Sequence, residues 1–491
     1  MKFILIAFLF ILAAFTSNAQ KELPDTLALQ EIIVRAFENN RKLIDVPAAI
    51  SLVNKKDLDR YNNTSILPAL NKNPGVRMEE RSPGSYRVSI RGSSLRSPFG
   101  VRNVKVYYNN IPYTDPGGNS YLNQLGFYNI QSIEIIKGPG SSLYGAGTGG
   151  VLLIRSNANQ FVPGVSLNYS VGSYSLNNFN ANVRLGKDDS NNTINYQHQT
   201  SDGYRVHTSL RRDVLTWDAN IKTTETQKFQ AHFLYGDLYY QTPGALTKAE
   251  YDANPKSARP HAGVNPSADE AQAAIYQKTF LAGLSMEQKM SDVWKNTTSI
   301  YGAYAQMRNP SFRNYGRTTE PHFGGRTVFQ YNKIFNSTAL TLHAGGEFQQ
   351  SFNTQRIYNN RNGQPDSLQT DDEIFNSQGF AFIQGIVELK SGWIFTGGAS
   401  INRLSLNFRR LSTLPSLDKK RSFDNELTPR FAILKKLDKT ISVYSSISRG
   451  FSAPTTAEVL PSTNILNETL QPETGIDYEF GLRGSAFKNN F

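Results

Sequence analysis

The stretch NFNANVRL, residues 178–185, puts an apolar side chain at every second position (Phe179, Ala181, Val183, Leu185) and a polar one between (Asn178, Asn180, Asn182, Arg184). Val165, Leu167 and Tyr169 alternate in the same way with Ser166, Asn168 and Ser170, and Leu215, Trp217, Ala219 and Ile221 with Thr216, Asp218, Asn220 and Lys222. Side chains of a strand point to opposite faces in turn, so each segment is a strand with one apolar and one polar face. A soluble sheet would need helices or a second sheet to cover the apolar face, and the sequence from residue 163 onward offers neither. A wall with lipid outside and a polar lumen inside satisfies the pattern. Such a wall also explains a mean hydropathy of −0.43 with 39% hydrophobic residues, 24 Tyr and 29 Phe.

The connections between strands differ in length. Lys187–Asn192, Thr224–Thr226, Ser291–Asp292, Ser391–Gly392, Asp438–Lys439 and Lys488–Asn490 read as tight polar turns. Asp202–Arg211, Tyr240–Ala271, Arg308–Glu320, Asn353–Phe375, Arg409–Arg421 and Phe451–Glu473 read as long loops. Short turns on one rim and long loops on the other mark an outer-membrane barrel whose long loops face outward. The pattern predicts about fourteen strands by Phe487, with Phe491 opening another.

Working outward to the N-terminus, Lys2 precedes the apolar run Phe3–Phe15, and Ser17-Asn18-Ala19 fits small-residue cleavage before Gln20. This is a secretory signal, too short to span a membrane as a helix. Four regions follow: a signal peptide over 1–19, a periplasmic segment over 20–43, a compact α+β unit over 44–156, and the strand meander over 163–491. The chain has no Cys, which excludes a lipoprotein anchor and a disulfide scaffold. With 52 Lys and Arg against 40 Asp and Glu, the net charge is +12. Export turns that charge away from nucleic acid and toward lipopolysaccharide or an anionic ligand.

Within the compact unit, Ile50–Val53, Val88–Ile90, Val104–Tyr108 and Ile133–Ile136 read as strands and Lys56–Tyr61 as a short helix. Gly138, Gly140, Gly145, Gly147, Gly149 and Gly150 suit tight turns and close backbone approach. They do not form a phosphate loop, because no Gly-Lys-Ser/Thr ends the run and no helix follows it. The sequence shows no Ser-His-Asp set and no His-x-x-x-His, so an enzyme is not expected, nor a metal centre or cofactor.

VSIRGSSLRSPFGVRNVKVYYNNIPYTDPGG followed by IQSIEIIKGPGSSLYGAGTGGVLLIRS, within residues 88–156, closely resembles the plug domain of TonB-dependent receptors. A second block, RGFSAPTTAEVLPSTNILNETLQPETGIDYEFGLRG at Arg449–Gly484, is similar to the barrel signature of the same family. Asn109-Asn110 stands where the family usually has Asp-Gly; both tolerate left-handed backbone, so the turn should survive. The resemblance implies a plug followed by an antiparallel transmembrane β-barrel of roughly 22 strands. On that count about eight strands, on the order of 200 residues, lie beyond this sequence.

The resemblance also implies roles. Leu29, Gln30, Glu31, Ile32, Ile33 and Val34 look like the TonB box, the peptide offered to TonB as an added strand. Arg91 and Lys137 are the plug cations expected to lock onto lumen-facing carboxylates. Alternation turns Asp477, Glu479, Gly481 and Arg483 to the lumen, so Glu479 is the candidate partner and Glu426 a second one. Lysine at 137, where the family has arginine, would lose the bidentate grip. For the ligand, the outward plug loops offer Arg81, Arg96, Arg102, Tyr113 and Asp115, and the barrel Tyr239 and Tyr240. Guanidinium groups suit carboxylate-rich ferric chelates. The same arginines would equally serve plug–barrel contacts, and both readings stay open. Active uptake of an iron chelate such as a siderophore or ferric citrate is expected. Cobalamin, oligosaccharide or haem uptake and a passive channel or adhesin are the alternatives. No His lies between Phe451 and Glu473, where a haem receptor would carry one.

Overall fold

From Gly164 onward the strands pair antiparallel in one meander, as the period-two pattern requires. The computed structural model describes residues 33–61, 64–93, 101–156, 161–460, 465 and 467–484. In it the wall is a 15-stranded sheet. Fourteen strands form a continuous path from Gly164–Gly172 to Glu473–Gly484, and Leu417–Ser422 pairs beside that path with Trp393–Arg410. Among the described residues the two terminal strands do not pair with each other, so the wall is an open sheet. The turn at Lys488–Asn490 and Phe491 lie outside the described residues.

The two faces separate as the alternation demands. Val165, Leu167, Tyr169 and Val171 are exposed on the lipid side, whereas Asn178, Asn180, Asn195 and Gln197 are buried on the lumen side. Ile476, Tyr478, Phe480 and Leu482 likewise point outward. Trp294 and Tyr331, with ring centroids 5.0 Å apart, form part of an aromatic girdle near the short-turn rim, where outer-membrane barrels meet the membrane boundary.

Three of the expected long loops are strand instead. Trp294–Pro310 and Asn314–Phe335 nearly meet, as do Thr338–Arg361 and Gln364–Leu389. The segment expected as a loop over Arg409–Arg421 contributes Leu417–Ser422. The last of the long strands has 26 residues, against the 9–11 or so that cross a bilayer. Beyond the membrane the outer face no longer has to be apolar, so the alternation fades while the backbone ladder continues to satisfy its N–H and C=O groups. The connections over 202–209, 242–273 and 453–472 remain long.

Inside the wall sits the plug. Its five-stranded sheet has the order Ile50–Asn54, Ser132–Lys137, Gly150–Arg155, Val104–Tyr108, Ile111–Pro112, with one parallel pairing between the third and fourth. Val76–Glu80 and Tyr86–Ile90 make a separate hairpin. Helices are short: Lys55–Asp59, Leu67–Asn71 and Ser141–Tyr144. Asn109 and Asn110 take φ of 48° and 69°, the left-handed pair that a tight hairpin turn needs. The plug core around Val53, Leu70, Val106 and Ile133 continues without a break into Leu234, Leu281 and Tyr301 of the wall. All five residues of Val104–Tyr108 are buried, because this strand runs through the middle of the plug and the plug itself is enclosed.

Candidate functional site: the plug seated in the wall

Arg91 ends the Tyr86–Ile90 strand with a φ of 52°, and its N–H donates to the Gly75 carbonyl at 2.8 Å. That turn aims its guanidinium at the wall. It donates to Glu479 at 2.6 Å and lies 3.6 Å from Asp477. The Glu479 carboxylate also accepts from the Ala49 N–H and the Tyr444 hydroxyl, each at 2.7 Å. Glu479 therefore ties together two plug segments and a neighbouring barrel strand.

Lys137 is placed differently. Its ammonium donates to the Pro74 carbonyl at 2.7 Å. Burial, and then the neighbouring Arg91 guanidinium, hold its pKa below the usual lysine range. Glu426 is held by Arg449 at 2.8 Å, a pair internal to the wall, so the structure does not bring Lys137 and Glu426 together. Arg91, with the fork-shaped donor set, occupies the Glu479 carboxylate, and Lys137 turns to a plug carbonyl instead.

A second set of contacts, not singled out in the sequence, clasps the segment between the expected TonB box and the plug sheet. Of that motif only Ile33 and Val34 are described; they form a strand paired with Arg41–Lys42, and Leu29–Ile32 lie outside the described residues. Glu134 accepts from the Arg35 and Ala36 N–H groups at 2.9 Å. Glu38 meets Arg326 of the wall at 2.8 Å. Arg326 is buried, lies 3.3 Å from Glu347, donates to the Leu143 carbonyl and sits over the Phe382 ring. Lys105 completes the group at 3.0 Å from Glu347. Further along, Lys436 pairs with Asp45 at 3.0 Å, Ser442 donates to the Ile44 carbonyl at 2.8 Å, and Arg483 donates to the carbonyls of Leu43, Val46 and Ala48. Lys436 adjoins the short connection over 437–440, so this clasp lies at the short-turn, periplasmic rim. Beside it a cavity of ≈ 610 Å³ opens between the plug and the wall, lined by Arg35, Glu38, Arg41, Arg155, Lys295 and Glu388 among others.

At the opposite rim the expected ligand residues divide. Arg102 lies 3.7 Å from Glu458 of the outer connection, a plug–wall contact. Asp115 is buried and accepts from the Asn119 N–H at 2.9 Å; burial raises its pKa. Tyr113 is buried too and donates to the Tyr121 carbonyl at 2.8 Å, which shapes the same loop. Arg81 is exposed at the tip of the plug hairpin, and Tyr240 packs over Gly84 of that tip. Tyr239 faces away from the lumen, with its ring 4.8 Å from Tyr276 on the outer wall, so the structure does not group it with the others. Arg96 lies outside the described residues.

The arrangement can hold and release a plug; the described part contains no group of three His, Asp or Glu side chains that could hold a metal ion. A model described as the TonB-dependent receptor plug domain matches residues 42–151, and one described as the TonB-dependent receptor-like β-barrel matches residues 97–491. Among solved structures, the ferric citrate transporter FecA in its unliganded form superposes with a TM-score of 0.76 at 17% identity, over 93% of this chain and 70% of that one. The siderophore receptor PiuA from Acinetobacter baumannii gives 0.72 at 13%, over 91% and 71%. The ferric yersiniabactin uptake receptor FyuA from Yersinia pestis gives 0.69 at 13%, over 90% and 70%. At these identities the likeness is one of fold. The family models, the enclosed plug and the two-faced wall agree: this chain belongs to the TonB-dependent receptors, β-barrel proteins of the Gram-negative outer membrane.

Proposed function

We propose that the chain carries out active uptake of a ferric chelate, a siderophore or ferric citrate, with TonB pulling on residues 29–34. The observation that carries this reading is the position of the Ile33–Val34 strand. It is clasped at the periplasmic rim directly ahead of Glu38 and Arg326, so force on the preceding residues would act first on the contacts that seat the plug. A passive channel has no use for a lumen filled by a plug with a sheet of its own. Ligand contact at the outer plug loops would favour the state in which the N-terminal segment is released, a shift between two plug arrangements. The chelate class is supported by the exposed Arg81 side chain on the outer side and by the kind of receptor with which the fold is shared. The plug–wall lock is assigned to Arg91 with Glu479, and Lys137 to bracing the plug's own backbone.

The test is uptake of iron-55 presented as a panel of defined complexes to cells carrying the chain or a variant lacking Leu29–Val34. Loss of accumulation in the deletion is expected for at least one iron complex. Accumulation that persists in the deletion would remove the active mechanism. Uptake of cobalamin or an oligosaccharide but of no iron complex would remove the chelate assignment.

A further inference from the structure

On the outer face of the wall, one cross-strand row runs Tyr276, Arg308, Arg317, Arg356, Asp371 over five adjacent strands, each residue directly opposite the next. Arg308, Arg317 and Arg356 are all exposed. Three like charges in direct opposition destabilise a sheet. Arg356 is relieved by Asp371 at 3.0 Å. Among the described residues neither Arg308 nor Arg317 has a carboxylate within ion-pair distance. Each lies instead over tyrosine: Arg308 is 4.9 Å from the Tyr276 centroid, and Arg317 is 5.5 Å from both Tyr315 and Tyr358. Stacking holds the guanidinium planes while leaving edge N–H donors free. One row toward the membrane stand Lys278, itself 3.8 Å from Asp237, and the Thr319 and Thr354 hydroxyls, bonded to each other at 2.6 Å.

The height of this row fixes what can reach it. On the strand Asn314–Phe335 the girdle residue Tyr331 near the short-turn rim and Pro321, opposite exposed Tyr304, bound the lipid-facing stretch. They are separated by roughly 33 Å along the strand, or about 25 Å along the membrane normal at the usual tilt, the height of an outer-membrane apolar band. Phe323, Phe352 and Phe375 pack edge and face at the upper margin of that band. Arg317 lies two rows further out, roughly 13 Å along the strand from Pro321. That is the headgroup layer of the outer leaflet.

The geometry points to a lipid-binding site here: Arg308 and Arg317, assisted by Arg356 and Lys278, bind the phosphates of an outer-leaflet phosphoglycolipid while its acyl chains lie on the phenylalanines below. Guanidinium edges match phosphate oxygens two at a time, and the anion removes the repulsion along the row. Aromatic rings beneath a basic row fit an amphiphile with a phosphorylated head better than an acidic protein.

The full chain in detergent, offered lipopolysaccharide or the same lipid stripped of its phosphates, tests this without altering the protein. About tenfold weaker retention of the stripped lipid is expected. Equal retention of the two would overturn the site. The triple variant Arg308→Gln/Arg317→Gln/Arg356→Gln should retain the intact lipid about tenfold less, with Lys333→Gln, an exposed position at the other end of the same strand, unchanged. An equal loss in both variants would also overturn it. Should the triple variant fail to insert, Arg317→Gln alone is expected to weaken retention about fivefold, and an unaltered value would count against the site. Displacement of the lipid by millimolar inorganic phosphate would mark a free-anion site and reject the lipid.

Discussion

The guanidinium of Arg91 and the carboxylate of Glu479 meet at 2.6 Å across 388 positions of sequence, and with Asp477 at 3.6 Å they join the plug hairpin to the strand Glu473–Gly484. Glu479 is 9% exposed and Arg91 38%, so water screens one partner more than the other. Arg91→Ala leaves Glu479 with the Ala49 and Tyr444 donors but without its ion-pair partner. Seating of the plug should weaken by about 1–2 kcal/mol, less than for a fully buried pair. The check is the rate of proteolysis within the plug in intact outer membranes, expected to rise several-fold. Glu479→Gln, which keeps an acceptor for Ala49, should raise it less. Unchanged rates in both would show that the pair does not hold the plug.

Arg326 presents the opposite case, a wall cation that grips the N-terminal segment from a buried position. Its removal as Arg326→Met strands Glu38, while Glu347 keeps Lys105 at 3.0 Å. A loss of about 3 kcal/mol is expected, the order found when one member of a buried pair is deleted. Hydrogen exchange should accelerate over residues 36–49 and stay constant in the strands Thr338–Arg361 and Gln364–Leu389. Arg326→Lys should fall between, since it restores charge without the fork. Acceleration spread evenly through the wall would mean a general folding defect in place of a local clasp.

The two blocks that resembled the family are the two sides of one interface, which is why they were legible. Gly147 donates to the Phe451 carbonyl at 2.8 Å, Thr148 to Ser452 at 2.9 Å, and Arg91 to Glu479. Alternation alone placed Glu479 and Arg483 in the lumen, because a strand has only two faces. What each lumen residue grips is not written in the period. Arg326, Arg430 and Arg483 serve backbone carbonyls and a carboxylate of a segment hundreds of positions away, and Lys137 met a carbonyl in its own domain. The outer strands read as loops for the same reason that the membrane strands are legible: the signal is the lipid-facing face, and it stops where lipid stops.

Gly150 shows how closely the plug sheet is built. It has a φ of 147°, and a Cβ there would come 2.2 Å from the Ile136 carbonyl oxygen, a backbone atom that cannot swing aside. Gly150→Ala should therefore destabilise the plug by more than about 3 kcal/mol. Gly302, in the lipid-facing wall, has nothing within 4 Å of such an atom. Gly302→Ala should stay within about 0.5 kcal/mol. Thermal unfolding of the plug, followed by its protease resistance on heating, distinguishes them; equal midpoints would contradict the packing.

Glu134 gives the plug a pH dependence whose sign can be worked out. The carboxyl is buried at the foot of the N-terminal segment, and burial raises its pKa above the ordinary value of 4.5, although the Arg155 guanidinium and the Arg35 and Ala36 N–H groups work against that rise. A folded state that holds its proton more tightly than the unfolded chain loses stability as pH climbs from 4.5 through the raised value, and the loss is complete above it. Glu134→Gln keeps a carbonyl oxygen for both N–H groups and has no proton to lose. Below pH 4.5 the two proteins should therefore unfold together, and toward neutral pH the Gln variant should become the more stable. Unfolding midpoints measured from pH 4 to pH 8 decide the matter. Parallel curves would show that folding leaves the Glu134 pKa where it is in the unfolded chain, the two N–H donors and Arg155 offsetting the burial.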